Sequence, residues 1–148
     1  MLQLSESGLD RLAAAEGLSL TAYRDLAGIW TIGYGHTGED VSAGQEITET
    51  EARALLRRDV QIAEATVSKH VLVELAPHEV DALVSLVFNI GARAFRESTL
   101  LRMLNGRDRV GAAAEFSRWH LAGGKRVKGL LLRRLREAAL FIGGRTHA

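Results

Sequence analysis

The stretch Glu16–Thr37 reads EGLSLTAYRDLAGIWTIGYGHT, and the periodicity of the chain changes as it is entered. Before it, Ser7 to Glu16 has helical character. Ser7 suits an N-cap, Asp10 stands at N3, Leu9, Leu12 and Ala13 share a face, and Gly17 is a stop. Glu16 is therefore expected at a helix C-terminus, where the helix dipole disfavours negative charge. From Leu20 to about Ile47 the pattern turns to short strand-like pieces with Gly28, Gly38 and Gly44 as turns, which predicts a small antiparallel sheet. Within it, Ile29–Thr37 (IWTIGYGHT) reads as a strand. Period two places Trp30, Ile32, Tyr34 and His36 on one face and Thr31, Gly33 and Gly35 on the other. A face so bare suggests that a ligand lies against backbone there; a sharp bend is the plainer use of the same glycines.

Beyond Ile47 everything reads helical. Thr48 and Glu51 form a capping-box pattern, followed at helical spacing by Ala52, Leu55, Leu56, Asp59, Val60, Ala63 and Val67. This predicts a helix from about residue 48 long enough to bridge two lobes. Pro77, the only proline, fits a first-turn position. Further amphipathic segments run from Ser98 to Leu104, from Val110 to Leu121 and from Leu130 to Ile142. The predicted class is α+β, mostly helical, in one domain. A sheet-containing lobe spans about 17–47, and a helical lobe is made of 1–16 and about 60–148.

Composition narrows the function classes. A chain of 148 residues can bury a full core without staples, and its 47% hydrophobic and 25% charged residues are ordinary for a globular protein. Having no cysteine, it has no disulfide, thiolate nucleophile or cysteine-based metal site. No apolar run approaches the 18 or so residues of a membrane span, and the N-terminus does not read as a secretory signal. The net charge of +1 hides an asymmetry: Arg118–Ala148 holds eight Lys and Arg against one acidic residue. Such a basic end favours an anionic partner, whether cell wall, lipid head groups or nucleic acid.

Glu16, Asp25 and Thr31, spaced E-x8-D-x5-T and followed by GYGHT, resemble the phage-type lysozymes, the glycoside hydrolase family of the T-even and lambdoid endolysins. The similarity continues in DALVSLVFNIGARAF from Asp81, STLLRMLN from Ser98 and RWHLAGGKRVKGLLLRRLREAALF from Arg118, in family order. It implies a two-lobed lysozyme-like fold. It also implies a muramidase cleaving the β-1,4 bond between N-acetylmuramic acid and N-acetylglucosamine in bacterial peptidoglycan.

The chemistry accounts for the residue types. Glycosidic cleavage needs one carboxylic acid to protonate the leaving oxygen and a second group to activate water or stabilise positive charge. An ordinary glutamic acid is protonated only about one time in 500 at pH 7, so such an acid must have surroundings that favour its neutral form. The resemblance casts Glu16 as the acid, Asp25 as base or electrostatic partner, and Thr31 as the hydroxyl that holds the attacking water. A threonine there suits an inverting route. A lytic transglycosylase is the alternative chemistry.

The remaining candidates are substrate-binding positions. Gly33 and Gly35 leave room for a glycan; the resemblance implies that Phe88 and Asn89, in FNIG, line the far side of the cleft, where Asn89 suits an N-acetyl group, while Phe88 also reads as core. Arg133, in LRRLRE, is the arginine the resemblance brings toward Glu16; a solvated basic helix face is the plainer reading. His36 also belongs to this stretch, but a structural ion pair explains it better than a metal, and the resemblance implies Asp59 as its partner. Trp119 reads as a packed anchor for the C-terminal helices. The resemblance implies no metal or organic cofactor, and peptidoglycan rather than nucleic acid as partner. It further implies a monomer without a stable membrane anchor, held in the host cytoplasm until a holin-like pore lets it reach the wall. Two other classes remain readable: a basic amphipathic C-terminal helix acting on membranes, and a wall-binding module without catalysis.

Overall fold

The computed structural model describes residues 2–143. In chain order they form α1 (Glu6–Glu16), β1 (Ser19–Arg24), β2 (Trp30–Gly33), β3 (His36–Thr37), α2 (Glu49–Asp59), α3 (Gln61–His70) and α4 (Pro77–Ile90). Then come α5 (Ala92–Arg96), α6 (Thr99–Asn105), α7 (Arg109–Glu115), a 3-10 turn (Phe116–Arg118), β4 (Leu121–Ala122), β5 (Lys125–Arg126) and α8 (Lys128–Gly143). The class is α+β, with two small antiparallel sheets among helices. The chain divides into two compact units, one spanning Leu9–Gln61 and the other formed by the segments on either side of it.

In the Leu9–Gln61 unit the sheet order is β1-β2-β3, with Tyr23 opposite Thr31 and Ile32 opposite His36. The outer edge of β1 is covered by the segment before α2. There Ala22 N–H donates to Gln45 O and Ile47 N–H donates to Leu20 O, each at 2.9 Å. The predicted capping box starts α2: Glu51 N–H donates to Thr48 Oγ1 and Thr48 N–H to Glu51 Oε1, both at 3.1 Å. α2 packs on β2 and β3. Leu12, Ile32, Ala52 and Leu56 are fully buried, and each of the larger side chains contributes about 1.5–3 kcal/mol by leaving water.

Several sequence expectations change here. Ile29–Thr37 is not one strand but a hairpin, in which β2 turns at Tyr34–Gly35 into β3, and Gly33 and Gly35 take φ of +68° and +83°. The glycines are needed for the turn, since side-chain-bearing residues rarely adopt those angles. Ile32 and His36 do share a face, but as cross-strand partners. The single helix expected from residue 48 is two, α2 and α3, interrupted at Val60. The cap of α1 is Ser5 rather than Ser7, because the Ser5 hydroxyl accepts the Gly8 N–H at 3.0 Å.

In the other unit α4 is buried on nearly all sides, as its run of Val80, Ala82, Leu83, Val84, Leu86 and Val87 requires. Pro77 is its first residue, and Glu79 Oε1 accepts the Ala76 N–H at 2.8 Å. α8 packs along α4. Two buried carboxylates tie down the start of the chain: Leu4 N–H donates to Glu64 at 2.6 Å, and Ser5 N–H donates to Asp81 at 2.9 Å. The helix expected from Val110 to Leu121 ends early. α7 gives way to the 3-10 turn and then to a β4–β5 hairpin around Gly123 and Gly124, a Gly-Gly turn signal the helical reading overlooked. The aromatic anchor of the C-terminal helices is Phe116, fully buried with its ring centroid 5.4 Å from that of Phe141, whereas Trp119 is half-buried. Of the apolar residues that suggested a membrane-active helix, Phe141 belongs to this core, while Leu132, Leu135 and Ile142 are exposed. Residues 144–148, with Arg145 of the basic C-terminal stretch, lie outside the described residues.

Candidate active site

In the Leu9–Gln61 unit Glu16 ends α1, Asp25 follows β1 and Thr31 stands on β2. Glu16 is the last residue of α1, which is closed by Gly17 at φ +74° with its N–H donating to Ala13 O at 3.1 Å. The carboxylate is half-buried, and its Oε1 lies 3.6 Å from where a β-carbon on Gly35 would stand. The glycine of the hairpin turn thus leaves the space beside the acid open.

Asp25 follows β1 directly and shapes the turn into β2. Its Oδ1 accepts two backbone donors, Ala27 N–H at 2.8 Å and Ile29 N–H at 2.9 Å. Its own N–H donates to Ile29 O at 2.9 Å. The same Ile29 carbonyl accepts the Thr31 hydroxyl, also at 2.9 Å. One peptide unit therefore fixes both the Asp25 loop and the Thr31 side chain. A carboxylate that folds back on nearby N–H groups is the ordinary property of an aspartate in a turn, and here it sets the carboxylate's direction.

The two glycines are not equivalent. Gly33 is buried, and a β-carbon there would meet Ala52 Cβ at 3.4 Å and Ile47 Cδ1 at 3.5 Å. These are ordinary contact distances, so it is the backbone at φ +68° that calls for glycine, and the packing of β2 on α2 replaces the expectation that Gly33 lies bare to a glycan. Thr31 is only 4% exposed, so of the supposed open face Gly35 alone is exposed.

His36 sits on the opposite face of the hairpin from Thr31. It forms the expected pair with Asp59, Nδ1 to Oδ2 at 2.7 Å, and a second pair not foreseen from sequence, Nε2 to both oxygens of Asp40 at 3.0 Å. Burial alone would lower the His36 pKa, but hydrogen bonds and charge from Asp59 and Asp40 outweigh it and leave it raised. Asp40 is lowered, chiefly by its hydrogen bond to His36. With both ring nitrogens engaged, His36 is an anchor between β3 and the end of α2 rather than a ligand-binding group. Beside it opens a cavity of about 300 Å³ lined by Ile32, Asp40, Gln45, Ile47, Glu51 and Arg58 among others.

Phe88 and Asn89 lie in the last turn of α4, in the other unit; Phe88 is half-buried and Asn89 exposed. Asn89 Oδ1 accepts Nη1 of Arg134 at 2.9 Å. Arg133, the arginine favoured from sequence, lies with its Nε 3.7 Å from Glu137 Oε2, and its side chain is 13% exposed. Its neighbour Arg134 is wholly buried, with Nε 2.7 Å from Glu137 Oε1. Glu137 also accepts the Ser85 hydroxyl. Burial raises the Glu137 pKa against the opposing pull of Arg134, Ser85 and Arg133. Neither Ser85 nor Glu137 was singled out from sequence, although Ser85 with Asn89 and Arg134 with Glu137 are each spaced for one helix face.

The phage lysozyme family model matches residues 13–137. The chain belongs to the phage lysozyme family. The endolysin of Salmonella phage P22 is 46% identical over 146 residues, covering 96% of this chain and 99% of that protein. The endolysin of Bacillus phage PZA is 45% identical over 145 residues, 97% of this chain, and the chain spans 56% of its length. Among solved structures, the muramidase domain of SpmX from Asticaccaulis excentricus is 34% identical with a TM-score of 0.89, covering 96% of this chain and 99% of that one. The fold is accordingly lysozyme-like, and this phage lysozyme is a glycoside hydrolase of bacterial peptidoglycan.

Proposed function

We propose that this lysozyme is an N-acetylmuramidase of host-cell lysis. It hydrolyses the β-1,4 bond between N-acetylmuramic acid and N-acetylglucosamine, with Glu16 as general acid, Asp25 as base or electrostatic partner and Thr31 as the group that holds the attacking water. The observation that carries this reading is the shared Ile29 peptide, which ties the Asp25 turn and the Thr31 hydroxyl together, while Gly35 keeps the space beside Glu16 clear. In the cycle, Glu16 gives its proton to the leaving oxygen as positive charge builds on the sugar ring. Asp25 draws a proton from the water as it attacks the opposite face, and its charge stabilises the oxocarbenium character. Because the water attacks directly, the anomeric configuration inverts. Gly35 lies against the glycan in this reading.

The test is to incubate wild type and Glu16→Gln with purified peptidoglycan and to analyse the soluble products by mass spectrometry. Reducing muramic acid ends from the wild type alone support the assignment, with the variant slower by about 10²-fold or more. Anhydro ends would replace hydrolysis by transglycosylation. The anomer first formed on a soluble glycan, followed by NMR, tests inversion, and a β-configured first product would refute it.

The chain acts in this reading as a monomer that waits in the host cytoplasm for a holin-like pore. No helix among the described residues is long and apolar enough to cross a membrane. Expression with and without a pore-forming partner distinguishes the cases, and prompt lysis without the partner would overturn holin dependence.

A further inference from the structure

The turn from β1 to β2 is held by its own hydrogen bonds. Leu26, Ala27, Gly28 and Ile29 are all exposed, Leu26 at the tip fully so, and packing therefore does not fix the backbone here. Asp25 Oδ1 accepts Ala27 N–H at 2.8 Å and Ile29 N–H at 2.9 Å. Asp25 N–H donates to Ile29 O, and Gly28 N–H to Asp25 O, each at 2.9 Å. The Thr31 hydroxyl donates to the same Ile29 O at 2.9 Å. Three of these five bonds are made by the backbone groups of Ile29, and the residue that aims them is Gly28, at φ +79°. A β-carbon on Gly28 would meet nothing within 4 Å, so the backbone angle and not crowding calls for glycine. The bonds also divide the carboxylate. Each of its oxygens has about two lone-pair sites. Both at Oδ1 are taken by backbone, whereas among the described residues no donor meets Oδ2.

We infer that Gly28 is the positioning residue for Asp25 and Thr31 together, and that it leaves Asp25 to act through Oδ2. The left-handed backbone at Gly28 turns Ile29 so that its N–H holds Oδ1 while its carbonyl holds the Asp25 N–H and the Thr31 hydroxyl. A proton then passes from the water to Oδ2 as the water oxygen bonds to the anomeric carbon, and the electron pair of the glycosidic bond leaves with the oxygen that Glu16 protonates. The inference rests on the muramidase reading above and adds the reacting oxygen and the residue that sets it.

The experiment measures kcat and KM on soluble peptidoglycan strands, together with Tm, for Gly28→Asn, Gly28→Ala and Gly28→Val. Gly44→Ala and Gly44→Val serve as controls of equal strain, at φ +78° in open space. Asparagine takes left-handed angles most readily, alanine at a cost, and a β-branched residue hardly at all. At position 28 kcat should fall about threefold or less for asparagine, about tenfold for alanine and about 10²-fold for valine, the scale of a reacting group displaced by about 1 Å, with KM within about twofold. At position 44 Tm should fall as far, with kcat within about twofold of wild type. In Asp25→Asn the amide oxygen must take the place of Oδ1, because both partners there are donors, and a nitrogen then replaces Oδ2. That variant should keep its Tm and lose turnover by about 10²-fold or more. Equal losses of kcat at positions 28 and 44, no advantage of asparagine over valine, or an effect carried by KM alone would overturn the role of Gly28. With Asp25→Asn inactive, the muramidase reading would still stand. Turnover kept in Asp25→Asn would overturn the role of Oδ2, and a wild type that releases no fragments would remove both inference and reading.

Discussion

Asp59→Asn tests the anchor that fixes the hairpin of the candidate site to α2. His36 is 7% exposed and lies 2.7 Å from Asp59 and 3.0 Å from Asp40, whose side chains are 27% and 54% exposed. The His36 pKa is raised, so its protonated form stabilises the fold fully below the unfolded value of about 6.5, and this contribution is lost as pH rises through the raised folded value. The Asp40 pKa is lowered, so its contribution is present above about 3.9 and lost as pH falls through the lowered folded value. The arrangement is strongest between about pH 4 and 6.5. At pH 5.5, Asp59→Asn removes a charge-assisted bond worth about 1.5–3 kcal/mol, and partial exposure of Asp59 sets the expected loss near 2 kcal/mol. At pH 9 the neutral imidazole has a single N–H to share between two carboxylates, and the loss falls to about 1 kcal/mol or less. For a chain of this size these losses correspond to Tm drops of about 4–8 °C at pH 5.5 and about 2–4 °C at pH 9. Calorimetric melting of both proteins at the two pH values and one ionic strength reads the difference directly. Equal drops at both pH values, or a larger one at pH 9, would refute the argument.

Two further substitutions probe the candidate site itself. Gly35→Ala, at φ +83°, should cost about 1–2 kcal/mol of backbone strain, set a methyl against Glu16 and lower activity, whereas Gly44→Ala, at φ +78° with open space around it, should show similar strain with activity kept. Equal activity in the two variants would separate Gly35 from the chemistry. Thr31→Val keeps the shape and removes the hydroxyl bonded to Ile29; melting should show a loss of about 1 kcal/mol, while peptidoglycan turnover should fall by about 10²-fold. Turnover within a factor of two of wild type would dismiss Thr31 as the water-holding group.

How far the sequence could be read depended on the range of the interaction. The Thr48–Glu51 capping box, Pro77 opening α4, Ser98 capping α6 and Gly17 closing α1 all appear where the residue types require them. Each is a choice between neighbours in the chain. The E-x8-D-x5-T pattern also falls within one small unit, with Glu16 ending α1, Asp25 following β1 and Thr31 on β2. Misreadings arose where local signals were ambiguous. Glycines in IWTIGYGHT allow either a thinned strand or a turn, and only the pairing of Ile32 with His36 decides for the turn. The Gly-Gly pair before Lys125 lost to a helical periodicity that does not reach it.

The sequence by itself therefore determined the α+β class, most helix starts and the family to which the chain belongs, because caps, turns and motif spacings act over a few residues. Tertiary structure alone decided that Gly33 is packed against Ala52 while Gly35 is open beside Glu16, that Asp40 joins Asp59 on His36, and that Arg134 rather than Arg133 is the arginine holding Asn89. Arg134 and Asn89 lie 45 residues apart, and Ser85 and Glu137 lie 52 apart. Helical periodicity says which residues share a face of one helix, but not which face of a distant helix will come to meet it. That is set when the apolar faces of α4 and α8 pack together and oblige the polar groups between them to find one another.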